Sequence, residues 1–121
     1  MKILHFHDSP HIHGGATQYL NQVLAALSDA GHQNHLFSIS PRIENSNITQ
    51  HHSFEYQWSK SPLRRRKDFL GIHQPLADKL NAVIAEVAPD IIHIHNCTTF
   101  RKTVFSTILY TEPKSVMTVH D

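Results

Sequence analysis

Histidines are the residues with the greatest capacity for chemistry in this sequence, which has 12 of them among 121 residues. Two pairs spaced His-x-His end apolar segments, and a single histidine follows a third such segment. These positions are His5, His7, His93, His95 and His120. Residues two apart on a β-strand point to the same face, so each pair places two imidazoles side by side. Imidazole titrates near neutral pH and also ligates metals, so these side chains could serve a reaction or bind an ion.

Three interpretations of the five histidines stay open: polar groups of a substrate cleft, partners for buried backbone groups at strand ends, and a metal site. Zinc sites in proteins use four ligands from cysteine, histidine and carboxylate. The sequence offers one cysteine, Cys97, and only Asp8 and Asp121 as nearby carboxylates. We therefore favour the cleft, assign no metal and predict no cofactor. The other seven histidines are expected in loops or on the surface: His11, His13, His32, His35, His51, His52 and His73.

Gly14 and Gly15 follow the first apolar segment and precede a helical stripe. Without a Cβ, glycine lets a ligand approach the backbone closely, and the start of a helix presents free N–H groups and a positive dipole end. These properties suit a phosphate group. The spacing Gly-x-Gly-x-x-Gly is absent, which disfavours a nicotinamide or flavin dinucleotide. A tight strand-to-helix turn without a ligand is the alternative.

The elements that must position these residues alternate between strand and helix, which predicts an α/β fold with a doubly wound parallel sheet, Rossmann-like and with about five strands. The predicted strands are 3–7, 35–39, 54–58, 90–95 and 115–119. Helical patterns cover 16–30, which Gly31 ends, 76–87, which Pro89 ends, and 98–109. We predict the strand order 3-2-1-4-5, in which the five histidines lie at or near the carboxyl ends of adjacent strands beside the Gly-Gly loop. Ligands of such sheets bind at that edge.

Size and composition limit the possible functions. A chain of 121 residues forms one domain, and its 40% hydrophobic content and net charge of +1 give no general signal for nucleic acid. One cysteine and a short N-terminal apolar run predict a cytoplasmic protein without a secretory signal. A sheet that stopped after the fifth strand would leave an uncovered edge, and a homodimer through that edge is one expected partner.

Arg64, Arg65, Arg66 and Lys67 form the one basic cluster, between apolar residues within 59–70. We interpret segment 59–67 as a solvated connection that precedes a helix. The alternative is a weak peripheral contact with the inner face of the membrane, because each cation near an anionic surface contributes about 1 kcal/mol.

Three motifs in order carry a resemblance to a known family. They are MKILHFHDSPHIHGGATQYLNQVLAALSDAGHQNHLFS, PDIIHIHN and SVMTVHD. The first resembles the opening of family 4 glycosyltransferases, which are retaining enzymes of GT-B fold. The second resembles their Pro-Asp-hydrophobic-hydrophobic-His-x-His strand, and the third their hydrophobic-Thr-x-His-Asp segment. The resemblance covers nearly the whole chain outside residues 41–75.

The resemblance implies roles for single positions. Gly14 and Gly15 match the loop that approaches the donor diphosphate, and His120 matches the active-site histidine near the donor sugar. His95 and Asn96 match a segment that lines the cleft on the acceptor side, and we place His7 of the histidine rim with them. Several family members dock on membranes through a basic surface of this domain, which would involve Arg64 to Lys67.

The resemblance also implies what is missing. The second Rossmann domain of the family, which carries a Glu-x7-Glu motif and holds most of the nucleotide, has no counterpart in residues 1–121. We therefore expect part of an N-terminal, acceptor-side domain that binds the nucleotide-sugar donor weakly or not at all. It would be inactive without a complementary C-terminal domain. The alternative is a non-catalytic module that binds a nucleotide phosphate or a protein partner.

Overall fold

Five parallel strands form a single sheet in the order β3-β2-β1-β4-β5. The structure, a computed structural model, describes residues 1–119. The strands are β1 Lys2–His7, β2 Gln33–Ser38, β3 Gln50–Ser53, β4 Ile91–Asn96 and β5 Lys114–Met117. This arrangement confirms the predicted fold class and strand order.

Four helices connect the strands: α1 Gly15–Asp29, α2 Pro62–Leu70, α3 Gln74–Val87 and α4 Arg101–Leu109. Gly31 has φ of 87°, the left-handed conformation in which glycine commonly ends a helix, and it follows α1 as predicted. Helix α3 ends before Pro89, since a proline disfavours helix at the residue that precedes it, and that residue, Ala88, is left-handed with φ of 49°. Within residues 1–119, none of these helices has the length and apolar composition needed to cross a bilayer.

The two faces of the sheet differ in chemistry. One face carries the main apolar core, in which Leu4, Phe6 and Ile92 of the strands pack with Leu76 and Leu80 of α3. The opposite face packs beneath α1, where the buried apolar cluster is small and consists of Leu20, Leu24 and Leu36. The rest of this second face is polar, because strand residues alternate between faces. Its buried polar residues include His5, His7, Asn34, Ser38, His51 and His95.

The third strand differs from the predicted one. Residues 54–58 form no strand, and β3 is the preceding segment Gln50–Ser53. All four of its residues are polar, so a search for alternating hydrophobic residues does not detect it. Its His51 is buried, with Nε2 2.7 Å from the Ser38 hydroxyl oxygen. The segment 54–58 instead crosses the carboxyl end of the sheet, where Tyr56 packs its ring against Phe100.

The basic connection was also assigned wrongly, because most of it is helix α2. Ser61 accepts a hydrogen bond from the Arg64 amide through its side chain, at 3.4 Å, and Pro62 occupies the first turn. A serine cap followed by proline is a common helix start. Arg64, Arg66 and Lys67 are exposed on this helix.

The edge strand β5 is exposed at all four residues. Pairing of two copies through this edge stays a prediction.

Three histidines that were expected in loops or on the surface are buried in strands, so that expectation is wrong for His35, His51 and His52. His35 and His52 stack with ring centroids 6.1 Å apart on the face opposite α1. Neither ring nitrogen of His35, nor Nε2 of His52, has a hydrogen-bond partner among the described residues. Burial therefore lowers the pKa of both imidazoles below the usual 6.5, with a smaller contribution from Lys2 at His35.

These buried imidazoles predict an acid-labile fold. The folded state keeps both rings neutral, whereas the unfolded chain protonates them as the pH falls through 6.5, so stability is lost in mild acid. The substitution His52→Phe should reduce the loss of urea-unfolding free energy between pH 7.5 and pH 5. His13→Phe, at an exposed loop position, is the control. An unchanged pH dependence in His52→Phe would contradict the assignment.

Candidate active site at the carboxyl end of the sheet

The carboxyl ends of β1 and β4 meet at the centre of the sheet edge. His7 pairs with Asn96 in register, after an irregularity between Phe6 and His7. The Asp8 amide then donates to the Asn96 carbonyl at 3.1 Å. The Ile39 amide, just past β2, donates to the Asp8 carbonyl at 3.2 Å. The backbone at Asp8 thus joins three strand ends.

The Asp8 side chain strengthens this junction. It is 4% exposed, and its Oδ2 accepts from both the amide and the hydroxyl of Thr98, each at 2.6 Å. Its Oδ1 accepts from Ser9 Oγ at 3.1 Å and from Asn96 Nδ2 at 3.3 Å. A carboxylate with several donors is well compensated for its burial, so Asp8 holds the loop after β4 against the loop after β1. From the sequence, Asp8 was identified only as a nearby carboxylate, because its partner Thr98 is 90 residues away.

The Gly-Gly turn lies at the start of α1, as predicted. Gly14 is the N-terminal cap. Within residues 1–119 no side chain caps the first amides of the helix, whose first turn has no acidic residue. Gly14 is extended rather than left-handed, with φ of 169° and ψ of 178°. A Cβ added at Gly14 or Gly15 would meet nothing within 4 Å. Neither backbone strain nor packing within the described chain therefore requires glycine at these positions.

The histidines form a cluster on the α1 side that extends deeper than the predicted rim. His7 and His95 lie near the carboxyl ends of their strands, but His5 pairs in register with His93 in the middle of the sheet. The Nδ1 atom of His5 is 2.9 Å from Nε2 of His95. His93 Nε2 is 2.7 Å from the Thr118 hydroxyl oxygen, and the Tyr19 ring of α1 lies 5.9 Å from the His95 ring. His120 lies outside the described residues.

Asn34 of β2 orients this cluster. Its Oδ1 accepts from His5 Nε2 at 2.9 Å, and both residues are fully buried. Burial lowers the pKa of His5 to about 4, and the hydrogen bond with Asn34 opposes that shift only in part. His5 is therefore neutral at neutral pH. The sequence analysis missed Asn34, although an asparagine beside a predicted buried strand is a usable signal because buried amides need partners.

Two of the cavities that the described residues form lie beside the carboxyl ends of the central strands. The larger has about 380 Å³ and lies above β1 and β2, where Asp8, Ser40 and Thr99 meet an aromatic wall. That wall consists of Tyr56, Trp58, Phe69 and Phe100. The smaller has about 230 Å³ and lies beside β4, lined by His95, Asn96 and Thr118 among others. His95 and Asn96 line the smaller cavity, whereas His7 is 1% exposed and lines neither. That these three residues belong to a substrate cleft stays a prediction.

Comparisons with known proteins place this geometry in context. The family model described as Glycosyltransferase Family 4 matches residues 13–121. A solved structure of a glycosyltransferase from Rickettsia africae ESF-5 is similar with a TM-score of 0.58 and 16% identity. The match covers 96% of this chain and 28% of that one, and at this identity it shows the fold alone. No curated protein matches the chain.

The Asp8 network predicts a measurable loss of stability when its charge is removed. Asp8→Asn places an amide N–H₂ among hydrogen-bond donors, so the free energy of unfolding should fall by about 2–3 kcal/mol. Ser9→Ala removes a single bond to Asp8 and should cost about 1 kcal/mol or less. Urea unfolding of both variants at pH 7.5 checks this order. Equal losses in the two variants would show that the carboxylate does not hold the junction.

Proposed function

Because the chain belongs to Glycosyltransferase Family 4, we propose that it forms part of the N-terminal, acceptor-side domain of a retaining GT-B enzyme that uses a nucleotide-sugar donor. The observation that carries the proposal is the start of α1, which no described side chain caps and where the packing of the described residues does not require glycine at Gly14 or Gly15. It lies at the same end of the sheet as the cavities.

The start of α1 suits the diphosphate of the donor. The first amides of a helix have no partners within the helix, and the helix dipole adds positive potential at the same point. No acidic side chain in the first turn opposes an anion. Thr17 donates its hydroxyl to the Ile12 carbonyl at 2.6 Å, which ties the preceding loop to the helix. A phosphate oxygen could therefore replace water on an ordered set of N–H groups.

The cavity above Asp8 suits part of an acceptor. It combines an apolar aromatic wall with the hydroxyl groups of Ser9, Ser40 and Thr99, and few polar groups in an apolar pocket are the usual means of orienting a small molecule. We place His95 and Asn96, which line the smaller cavity, on the acceptor side as well. His120 keeps its proposed role beside the donor sugar, by resemblance.

Glycosyl transfer needs more than an acceptor-side domain. The leaving diphosphate must be stabilised, and donor and acceptor must be held together with little water present. The chain spans about 28% of the similar Rickettsia africae structure. We therefore expect residues 1–121 alone to give no product with sugar nucleotides, and transfer to require a second, donor-binding domain. Clear product from the purified chain would overturn this expectation.

Substitution at the Gly-Gly turn tests the diphosphate site. Gly15→Val keeps the fold, because the space beside Gly15 is empty, but it should weaken nucleoside-diphosphate binding at least tenfold by blocking approach to the amides. Ala26→Val, at an exposed position near the other end of α1, is the control. Amide chemical shifts in titrations with UDP, GDP and ADP measure the affinity. The proposal fails if millimolar nucleotide leaves the amides of residues 14–17 unmoved in the unsubstituted chain.

We further propose that α2 contacts an anionic membrane. Leu63 and Leu70 are 80% and 65% exposed, and Arg66 and Lys67 lie between them on the same helix face, since residues three, four and seven apart are neighbours on a helix. Apolar groups flanked by cations on an exposed helix are typical of peripheral contacts.

Vesicle binding measures this contact. The double substitution Arg66→Glu and Lys67→Glu should abolish pelleting with vesicles that contain anionic lipid, and salt should weaken pelleting of the unsubstituted chain. Lys79→Glu with Lys114→Glu gives the same net charge from exposed positions on α3 and β5, and should pellet more strongly. Equal loss in both double variants would indicate a general charge effect instead of docking by α2.

A further inference from the structure

We propose that His5, His93 and His95 form a binding site for a divalent transition-metal ion of the zinc class, on the α1 side of the sheet. One ring nitrogen from each of these histidines lies within 4.8 Å of the others. Two strands supply the three ligands, and the in-register pairing of His5 with His93 places them on adjacent strands at the same level. The inference is independent of the proposed transferase function.

The hydrogen bonds of Asn34 determine which ring nitrogen of His5 has a lone pair available to bind a metal ion. Asn34 Nδ2 donates to the carbonyls of Leu24, at 3.0 Å, and Asn47, at 3.2 Å. This fixes the amide so that Oδ1 faces His5 Nε2, which must carry the proton because Oδ1 can only accept. The lone pair of neutral His5 is therefore on Nδ1, the atom that faces His95.

This arrangement matches the support that metal-binding histidines receive. A ligating imidazole usually donates its second N–H to a carbonyl or carboxylate, which fixes the ring and its tautomer. Asn34 provides that acceptor for His5, and the Thr118 hydroxyl lies 2.7 Å from His93 Nε2.

Metal binding requires the three rings to shift, because their ligand atoms now lie within 4.8 Å of one another. Zinc–nitrogen bonds of about 2.0–2.1 Å place neighbouring ligands of a tetrahedron roughly 3.3 Å apart. His5 Nδ1 and His95 Nε2, now 2.9 Å apart, would open by about 0.4 Å. His95 would move its proton from Nε2 to Nδ1, which changes no net charge. His93 is only partly buried and can turn toward the other two rings, whose centroids lie 5.8 and 3.8 Å from its own.

One of the three proposed ligands borders a cavity. His95 lines the cavity of about 230 Å³ beside β4, together with Thr118 and Val119. Three protein ligands with one open position are typical of zinc sites that bind water or a substrate.

Metal titration of the complete chain tests the site. After treatment with a chelator and its removal, calorimetry with Zn²⁺ should show one equivalent bound, and Zn²⁺ should raise the thermal unfolding midpoint. Co²⁺ in its place should give the intense visible absorption of a tetrahedral site. His93→Gln, at the most accessible of the three positions, should weaken Zn²⁺ binding at least tenfold, and His95→Gln should do the same.

Exposed loop histidines provide the matched control, because they could bind Zn²⁺ without any built site. His11→Gln with His13→Gln should leave the stoichiometry and affinity unchanged. Circular dichroism at pH 7.5 confirms that each variant is folded. The proposal is overturned if the unsubstituted chain binds no Zn²⁺, or if binding survives in both His93→Gln and His95→Gln. The proposal is also overturned if Zn²⁺ binding is lost in the His11 and His13 double variant but kept in His93→Gln and His95→Gln.

Discussion

Strand β1 lies at the centre of the sheet and pairs with β2 on one side and β4 on the other. Because all three strands are parallel, their carboxyl ends open at the same edge, and the chain must leave each of them there. Asp8 ties these exits together through its backbone and its buried carboxylate. The Gly-Gly turn, the larger cavity and the loop after β4 all take their positions from this junction.

The two faces of the sheet have different roles: one contributes most of the apolar core, and the other carries the buried polar side chains. The apolar face, packed against α3 and α4, holds most of the buried hydrocarbon. Beneath α1 the cluster of buried apolar residues described consists of Leu20, Leu24 and Leu36. Hydrogen-bonded imidazole, amide and hydroxyl groups occupy the rest of this face. Such networks specify orientation because each polar group must find its own partner. Asn34 illustrates this, since its amide bonds with Leu24 and Asn47 determine the tautomer of His5.

The sequence predictions failed where polar residues occupy regular structure. Strand β3 contains two buried histidines, His51 and His52, and therefore has no hydrophobic alternation to mark it. Helix α2 has no fully buried residue, so its pattern resembles a solvated segment even though Ser61 and Pro62 mark its start. Apart from the bond between Asp8 and Ser9, Asp8 and Asn34 act through partners 10 to 90 residues away, and no local pattern reports such contacts.

Local signals were sufficient for the rest of the framework. Apolar periodicity, Gly31 and Pro89 determined the strands and helices around β1, α1, α3 and β4. Those segments bury hydrocarbon with regular spacing, and the two helices end at a glycine that adopts a left-handed conformation and before a proline that disfavours helix. The sequence motifs also determined the family, which the match over residues 13–121 confirms. Only the tertiary structure decided which histidines meet. His5 and His93 are 88 residues apart in the sequence and become neighbours through the register of β1 against β4. Register depends on how strands pair across the sheet, and the spacing of side chains within one strand does not determine it.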